Sequence, residues 1–342
     1  MKIKKLNKKG IFFTLIAITM MTIFVLIFSP PANISLQKNN QAIRTRINNI
    51  DSYVNDLQEA YFQTALRAAT YKTMLSLIYY MNTTGEYLTD LNGDLNLNGD
   101  FSEVIINGTI KRVPIDEITR KKIMYDNTLT NWSNRIINIS KNALNVNTTI
   151  VIYKVFISQT KPWALDAQLE LNFSVKSDVA VWGKNATIKS TISIEGLPDP
   201  YYLLNTRGPN SYSNIIKRSS VGFDEWDLSK TREHLRNGTN AHWENSEAPS
   251  FLMRFTNTIA PSSCCGIESL VNPNKISPSD QRETYVDYLF WTHAYNARCA
   301  ELYDITNSVT GAGLWDEFQY FKLDINHVVI YKIPAGDVTR DC

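Results

Sequence analysis

The sequence lacks the motifs around which most nucleotide-binding and hydrolytic sites are built. It contains no P-loop, no Gly-x-Ser-x-Gly turn and no Gly-x-Gly-x-x-Gly loop, and Gly311-Ala312-Gly313 is an isolated loop signal. Its acidic residues are scattered, and no pair stands out as the two carboxylates of a glycosidase. These absences favour a protein that is not an enzyme.

The chain also has almost no net charge, at +2 for 342 residues. Five of its lysines precede residue 10, where there is no acidic residue at all, so the remainder is neutral to slightly acidic. This balance argues against nucleic acid as a partner, because nucleic-acid-binding proteins carry concentrated positive charge.

Cysteine is absent from the first 263 residues. All four cysteines come later: Cys264, Cys265, Cys299 and Cys342. In an exported segment an even number favours two disulfides. A bond between adjacent cysteines closes a strained ring, so we expect Cys264 and Cys265 each to pair with Cys299 or Cys342. A zinc site built from all four is the alternative, although no Cys-x-x-Cys knuckle supports it.

One long hydrophobic run is present, from residue 11 to residue 28, interrupted only by three threonines. As a helix it would be about 27 Å long, close to the roughly 30 Å of a bilayer's hydrocarbon core. The lysines before it predict a cytoplasmic N-terminus and an extracellular remainder. A cleaved signal peptide fits less well, because the run is long and the segment 29–32 is a poor cleavage site.

The junction Lys8-Lys9-Gly10 followed by Ile11-Phe12-Phe13-Thr14-Leu15 resembles the class III signal of type IV pilins and archaeal pilin-like proteins. The resemblance implies cleavage by a prepilin peptidase between Gly10 and Ile11, with Lys9 as part of the processing site. It also implies a hydrophobic helix that anchors the protein or packs with other pilin-like subunits. Most major pilins have Glu where Leu15 stands, so the resemblance favours a minor or tip-type component.

Asparagine is abundant, and nine Asn-x-Ser/Thr sequons occur. They start at Asn33, Asn82, Asn107, Asn131, Asn138, Asn147, Asn172, Asn185 and Asn237. Some would arise by chance from composition, but the number fits a glycosylated outer surface.

Residues 32–81 contain no proline and no glycine after Ala32, and predict one long helix. Six apolar residues step by 3 and 4: Ile43, Ile47, Ile50, Val54, Leu57 and Tyr61. We expect this stripe to pack on the helix's own domain, because it widens after residue 61. A coiled-coil stalk between copies is the alternative.

A loop rich in Asn, Gly and Asp follows the helix. Asp94, Asn96, Asn98 and Asp100 match the opening of a calcium loop, but Ile105 stands where the closing Glu would be. The pattern therefore favours an ordinary loop, with calcium as the only cofactor that the sequence suggests.

Residues 103–113 predict a hairpin around Asn107-Gly108, and residues 129–146 predict a second amphipathic helix. Three strands are predicted at 148–158, 163–174 and 179–195, joined by short turns as an antiparallel meander. The middle strand alternates polar with apolar residues, so one of its faces should be buried.

Gly196-Leu197-Pro198-Asp199-Pro200 predicts a domain boundary, although it could be an ordinary rigid turn. Beyond it lie all four histidines and four of the seven tryptophans. Residues 317–333 predict a strand. His234, His242 and Glu244 are the nearest approach to a ligand cluster, but their spacing does not place them on one helical face, and surface or turn histidines are favoured.

The sequence thus predicts an α+β fold. An N-terminal transmembrane helix (11–31) follows a basic leader (1–10) and continues into the amphipathic helix (32–81). A pilin-like head with an antiparallel β-meander (82–197) precedes a disulfide-stapled mixed α/β C-terminal domain (198–342).

Three functions fit this layout. The first is a membrane-anchored, glycosylated, pilin-like surface protein, and the second is a signal-anchored adhesin or receptor that never polymerises. The third is an exported hydrolase using the histidines. Partners would be the membrane, other pilin-like subunits, or a surface glycan or protein, to which the distal aromatic residues could stack.

Overall fold

A computed structural model describes residues 19–21, 32–89, 97–206, 211–244, 247–276, 283–293, 302–305, 318 and 321–340. The predicted hydrophobic run lies outside this description except at 19–21, which are helical. Within the described ranges, no helix is both long and apolar enough to cross a membrane.

The predicted long helix is present. Helix α1 (Ala32–Asp56) continues through a π-turn (Leu57–Tyr61) into α2 (Phe62–Thr84). It ends where Gly85 adopts a left-handed conformation with φ of 82° and donates its N–H to Met81 O at 2.7 Å. The helix thus persists until the first glycine of the segment.

The π-turn changes which residues face the core. Ile50, Val54 and Leu57 are buried as predicted, but Tyr61, the next residue in the stripe, is 54% exposed. Phe62 takes its place and is 3% exposed. One extra residue in the turn has rotated the rest of the helix by one position. From Ile50 onward the helix packs on its own domain, as we expected.

The meander is also present. Strands β3 (Asn147–Lys161), β4 (Ala164–Lys176) and β5 (Val181–Ser193) form an antiparallel sheet in the order β3-β4-β5. Along β4 the predicted alternation holds. The buried residues are Leu165, Ala167, Leu169, Leu171 and Phe173.

Both edges of this sheet are covered by helices. On the β3 edge, Val155 N–H donates to Ser102 Oγ and Ile157 N–H donates to Asn98 Oδ1, at 3.2 and 3.1 Å. On the β5 edge, Gln63 Nε2 donates to Lys189 O at 3.3 Å. Backbone groups that would invite another strand are thereby occupied at these positions.

The predicted hairpin at 103–113 is wrong. Helix α3 (Leu97–Asn107) occupies its first half, and Gly108, at φ of 73°, ends that helix with a bond from its N–H to Val104 O. The hairpin is shorter and lies later, as β1 (Thr109–Ile110) and β2 (Val113–Pro114). The Asn107-Gly108 pair is therefore a helix stop and not a strand turn.

Two helices complete this part of the molecule. A short α4 (Ile115–Thr119) follows the hairpin, and α5 (Leu129–Ile139) with a π-turn (Ser140–Leu144) matches the second predicted amphipathic helix. Thr128 caps α5 by accepting from Asn131 N–H. We call residues 50–193 the helix–meander region.

The segment after Gly196 connects two hydrophobic cores. Helix α6 (Pro200–Asn205) begins at Asp199, whose side chain accepts from Tyr201 N–H. Its Leu203 and Leu204 belong to the aliphatic core of the helix–meander region, whereas Tyr201 and Tyr202 belong to a second, aromatic core. The predicted boundary is therefore a place of close packing, and the division into two domains stays a prediction.

Short elements surround the aromatic core, in what we call the distal region (199–340). The helices are α7 (Leu228–Asn237), α8 (Phe251–Arg254), α9 (Asp287–Thr292) and α10 (Ile325–Ile330), with 3-10 turns at Phe223–Glu225, Pro273–Lys275 and Ala335–Asp337. The strands are β6 (Asn240–Ala241), β7 (Glu268–Ser269), β8 (Leu302–Ile305), β9 (Lys322–Asp324) and β10 (Val338–Arg340). Pairs β6-β7 and the sheet β10-β8-β9 are antiparallel.

The predicted strand at 317–333 is largely wrong. Among the described residues of this range, only Lys322–Asp324 forms a strand, and Asp324 then caps α10 by accepting from His327 N–H at 3.1 Å. The apolar residues of this segment also fit a short helix, and the cap decides between the two structures.

Candidate functional site

A cleft lies where the turn between β3 and β4 meets the distal region. Its volume is about 170 Å³, and three of its nine lining residues are tryptophans. The residues that carry its chemistry are Trp163, Arg218, Trp226, Asn240, His242 and Trp243. The cleft therefore combines aromatic walls with a few polar groups, which is the usual composition of a small-molecule site.

Trp163 and Arg218 form the more exposed part of the cleft. The Arg218 guanidinium lies 4.8 Å from the centre of the Trp163 ring, in a cation–π contact. Arg218 Nη2 also donates to Glu195 Oε1 at 3.3 Å. The positive charge next to the cleft is thus balanced by a neighbouring carboxylate.

Asn240 and His242 are the lining residues, apart from Arg218 and the tryptophans, whose side chains carry nitrogen atoms. Asn240 Oδ1 accepts from Lys217 N–H at 3.2 Å, whereas its buried Nδ2 has no hydrogen-bond partner in the part of the chain that the structure describes. His242 Nδ1 lies 2.7 Å from Gly266 O. A carbonyl only accepts, so Nδ1 carries the proton and Nε2 is the nitrogen left for a ligand.

Trp226 and Trp243 are nearly buried and belong to an aromatic cluster. Trp226 lies 5.1 Å from Trp243, 5.0 Å from Tyr331 and 5.1 Å from His234, measured between ring centres. The contacts with Tyr331 and His234 are edge-on and the contact with Trp243 is tilted, and together they hold the Trp226 ring in place. The deeper walls of the cleft are thus rigid.

A buried histidine between two carboxylates lies beyond this cluster. His327 Nδ1 is 2.7 Å from Asp324 Oδ2, and its Nε2 is 3.4 Å from Glu268 Oε2. Thr284 Oγ1 donates to Asp324 and Tyr331 OH donates to Glu268, each at 2.9 Å. Both ring nitrogens therefore face acceptors, which favours the protonated ring.

The neighbouring charges favour the same protonation state. Burial alone would lower the pKa of His327, but Glu268 and Asp324 outweigh it and raise the pKa to about 10. Burial likewise opposes ionisation of both carboxyls, yet His327 lowers the pKa of each. A histidine that stays protonated at neutral pH cannot act as a general base, so this arrangement stabilises the fold.

A second buried ionic cluster joins distant parts of the chain. Arg254 Nη1 donates to Asp199 Oδ2 at 2.6 Å and to Asp287 Oδ2 at 2.7 Å, and all three side chains are fully buried. Arg254 Nη2 donates to Ile267 O, and Ser269 Oγ donates to Asp287 at 2.8 Å. Burial raises the pKa of Asp199 to about 6, and the nearby guanidinium opposes that rise.

The structure joins Cys264 to Cys265 in a disulfide. This contradicts the expected pairing with Cys299 or Cys342, both of which lie outside the described residues. The bonded sulfur atoms contact Gln159 O at 3.8 and 3.5 Å, so the disulfide packs on the end of β3. Ring strain disfavours a bond between adjacent cysteines, but tertiary packing decides which cysteines meet, and the sequence does not reveal that packing.

The three residues proposed as a ligand cluster differ in environment. His234 is buried, contrary to the favoured interpretation, and its Nδ1 lies 2.6 Å from Thr239 Oγ1. Burial lowers the pKa of His234 to about 4, so it is neutral. His242 lines the cleft, and Glu244 is exposed. Over the described ranges, no three His, Cys, Asp or Glu residues are grouped to hold a metal ion.

The predicted loop at 94–100 is partly replaced by helix. Asn98 and Asp100 lie in the first turn of α3, where Asn98 Oδ1 accepts from Ile157 N–H and Asp100 is buried. Asp94 and Asn96 lie outside the described residues. The helical geometry at 97–100 is not that of the calcium loop that the sequence pattern suggested.

The sequon asparagines that the structure describes are accessible to solvent. The side chain of Asn33 is outside the description, and of the other eight asparagines none is buried. Asn172 and Asn185 are opposite one another on β4 and β5, with Asn172 Nδ2 donating to Asn185 Oδ1 at 2.7 Å. The processing residues Lys9, Gly10 and Ile11 lie outside the described residues.

The buried ionic clusters were not foreseen. Arg254, Asp199 and Asp287 are far apart in sequence, and each resembles the many other charged residues around it. Only Asp199 carried a local signal, because Asp before Pro often caps a helix. The cleft was anticipated only as a general excess of aromatic residues beyond residue 200.

No family model matches the chain, and neither the curated proteins nor the solved structures compared with it include a match.

Proposed function

We propose that this chain is a membrane-anchored extracellular protein with the layout of a minor type IV pilin-like component. The hydrophobic run would hold it in the membrane, and the helix–meander region would carry the distal region outward. It is a structural protein, not an enzyme.

The main support is the packing of one continuous helical path on the meander. The helix is described from Ala32, four residues after the end of the hydrophobic run, and its side chains from residue 40 to residue 49 are exposed or half-buried. Arg46 reaches Asp178 in the turn between β4 and β5 at 2.9 Å, and the buried apolar stripe that packs on the sheet domain begins at Ile50. A helix that leaves the membrane before it reaches a globular head fits this arrangement.

The distribution of sequons adds support from a different direction. Seven of them start in the helix–meander region and one at Asn237 in the distal region, all on exposed or half-buried asparagines. Glycan attachment requires accessible side chains on the extracellular side. Both regions would therefore lie outside the cell.

Membrane fractionation combined with protease treatment of intact cells tests this proposal. We expect the full chain to stay in the membrane pellet at alkaline pH, and we expect external protease to remove the distal region. Release of the chain into the soluble fraction would contradict the proposal. Full protection of the chain from protease in intact cells, followed by its digestion once the cells are lysed, would also contradict it.

A second candidate function is that of a non-polymerising adhesin or receptor, favoured by the tryptophan-lined cleft. Crosslinking in membranes separates the two. Ladders of self-linked chains through cysteines placed at exposed helix positions such as Thr45 would favour the pilin-like protein, and their absence would favour the adhesin.

A further inference from the structure

We propose that the cleft lined by Trp163, Arg218, Trp226, Asn240, His242 and Trp243 binds one sugar ring at the end of a glycan chain. This goes beyond the proposed function, since a membrane-anchored surface protein need not bind any ligand. Size, wall chemistry and hydrogen-bonding groups each support it.

The cleft accommodates one ring and little more. Its volume of about 170 Å³ is below the roughly 300 Å³ at which drug-sized sites begin. A single pyranose, or a side chain of similar size, is the ligand that such a space admits.

The walls suit a ligand with an apolar face. A pyranose presents C–H groups on its faces and hydroxyls around its edge, so indole rings can cover the face while polar groups meet the edge. Trp163, half-buried at the mouth, and the rigid pair Trp226 and Trp243 provide such surfaces. Because their positions are fixed before binding, little ordering entropy is lost.

The polar groups of the cleft favour a ligand that carries both hydrogen-bond acceptors and hydroxyl groups. Asn240 Nδ2 is a buried donor without a partner among the described residues, and leaving a buried donor unpaired is unfavourable. His242 Nε2 can accept from a hydroxyl. A sugar hydroxyl both donates and accepts, so it satisfies both groups.

Two other ligand classes fit less well. An ammonium group would meet the Arg218 guanidinium and the Asn240 donor, with no carboxylate among the nine lining residues. A free anion would find its only cationic partner, Arg218, already paired with Glu195. The cleft is therefore suited to a neutral polar ring.

The sugar has two possible sources. It can belong to another molecule, or to a glycan on Asn237, which is exposed and precedes Asn240 by three residues. Comparing the natural chain with Asn237→Gln separates them, because a glycan attached at residue 237 would block free sugar until it is removed.

The test is saturation-transfer NMR on the full chain in a detergent without a sugar headgroup. The probes are glucose, galactose, mannose and N-acetylglucosamine, with butylamine and indole as side-chain analogues. We expect saturable binding of at least one sugar, either to the natural chain or to Asn237→Gln. Failure of all four sugars with both proteins, or saturable binding of an analogue alone, would overturn the proposal.

Variants then place the binding in the cleft. Trp163→Ala should weaken the sugar at least tenfold, whereas Trp182→Ala, which truncates a half-buried tryptophan at the other end of the meander, should not. Equal loss of affinity in both tryptophan variants would refute the site. If Trp163→Ala does not fold, Trp163→Phe replaces it, with a smaller expected loss.

Discussion

The two regions of this molecule are held together by different interactions. The helix–meander region buries mainly aliphatic side chains, brought to one face by long elements with regular periods. The distal region is built from short elements around tryptophan and tyrosine, and it buries ionised groups such as Arg254 and His327. Short elements expose more backbone and side-chain polar groups to the interior, and these need partners.

The difference predicts that a single charge removed from the distal region is as damaging as a large cavity elsewhere. Arg254→Met would leave Asp199 and Asp287 buried without their cation, so we expect it to lower the free energy of unfolding by about 3–5 kcal/mol. Chemical denaturation of the folded variant measures this. Arg218→Met, which removes an exposed ion pair with Glu195, is the matched control and should change stability by under about 1 kcal/mol. Similar values for the two variants would show that the buried cluster is not what holds the distal region together.

In the helix–meander region the corresponding test is a cavity. Leu66 is fully buried on α2, and Leu66→Ala should lower stability by about 2–5 kcal/mol. Val151→Ala, on the exposed face of β3, should have little effect. A small effect of Leu66→Ala would mean that the aliphatic core is loosely packed, contrary to the proposed contrast between regions.

Close backbone packing beside the disulfide gives a third test. A Cβ at Gly266 would lie 2.2 Å from Ala248 O, so Gly266→Ala should cost about 1–3 kcal/mol through overpacking. A Cβ added at Gly183 would have no atom within 4 Å, and neither Gly183 nor Gly266 has a positive φ. Thermal denaturation of Gly266→Ala and Gly183→Ala should therefore show a lower midpoint only for the first. Equal midpoints for the two variants would show that Ala248 O does not lie against Gly266.

The ionic clusters also predict a dependence on alkaline pH. The pKa of His327 is raised from about 6.5 to about 10, so its contribution is complete below pH 6.5 and is lost as pH rises toward 10. The loss cannot exceed about 1.4 kcal/mol per pH unit. Denaturation midpoints between pH 6.5 and 9.5 measure it.

Two histidine variants test whether His327 causes this dependence on pH. His327→Gln should flatten that pH profile whatever its own stability, and His293→Gln, at an exposed histidine paired with Glu283, should leave it unchanged. An unchanged slope in His327→Gln would show that another group titrates.

The π-turn gives the smallest expected effect. Glu59 is exposed within the turn, and its deletion lets an ordinary α-helix bring Phe62 to the position that Tyr61 was predicted to hold. We expect a change below about 1 kcal/mol. Deleting Arg67 instead rotates every later buried residue by about 100° and should be severely destabilising. Comparable losses would mean that the turn is required.

The fold of the helix–meander region could be predicted better than the fold of the distal region. Helices α1 and α2, helix α5 and the meander were predicted because their periods extend over many residues. The π-turn was missed because no residue type marks it, and α3 was missed because Asn98, Gly99 and Asp100 are typical loop residues. In the distal region, Val328 and Val329 fit either a strand or a helix, and the cap that Asp324 provides favours the helix.

The candidate sites also differ in how far they could be predicted. Sequons are local motifs that the sequence alone reveals, and their glycosylation stays a prediction. The cleft brings Trp163 from the meander next to Asn240 and His242, and the Arg254 cluster joins residues 33 and 55 positions apart. Such contacts depend on tertiary packing, which one sequence without its structure does not reveal.

The most direct test of the proposed function is the mass of the mature chain isolated from membranes. We predict a chain that begins at Ile11, as cleavage after Gly10 requires, with added mass from occupied sequons. A chain that begins at Met1 or Lys2 would contradict pilin-like processing, and one that begins near Ala32 would contradict membrane anchoring through the hydrophobic run.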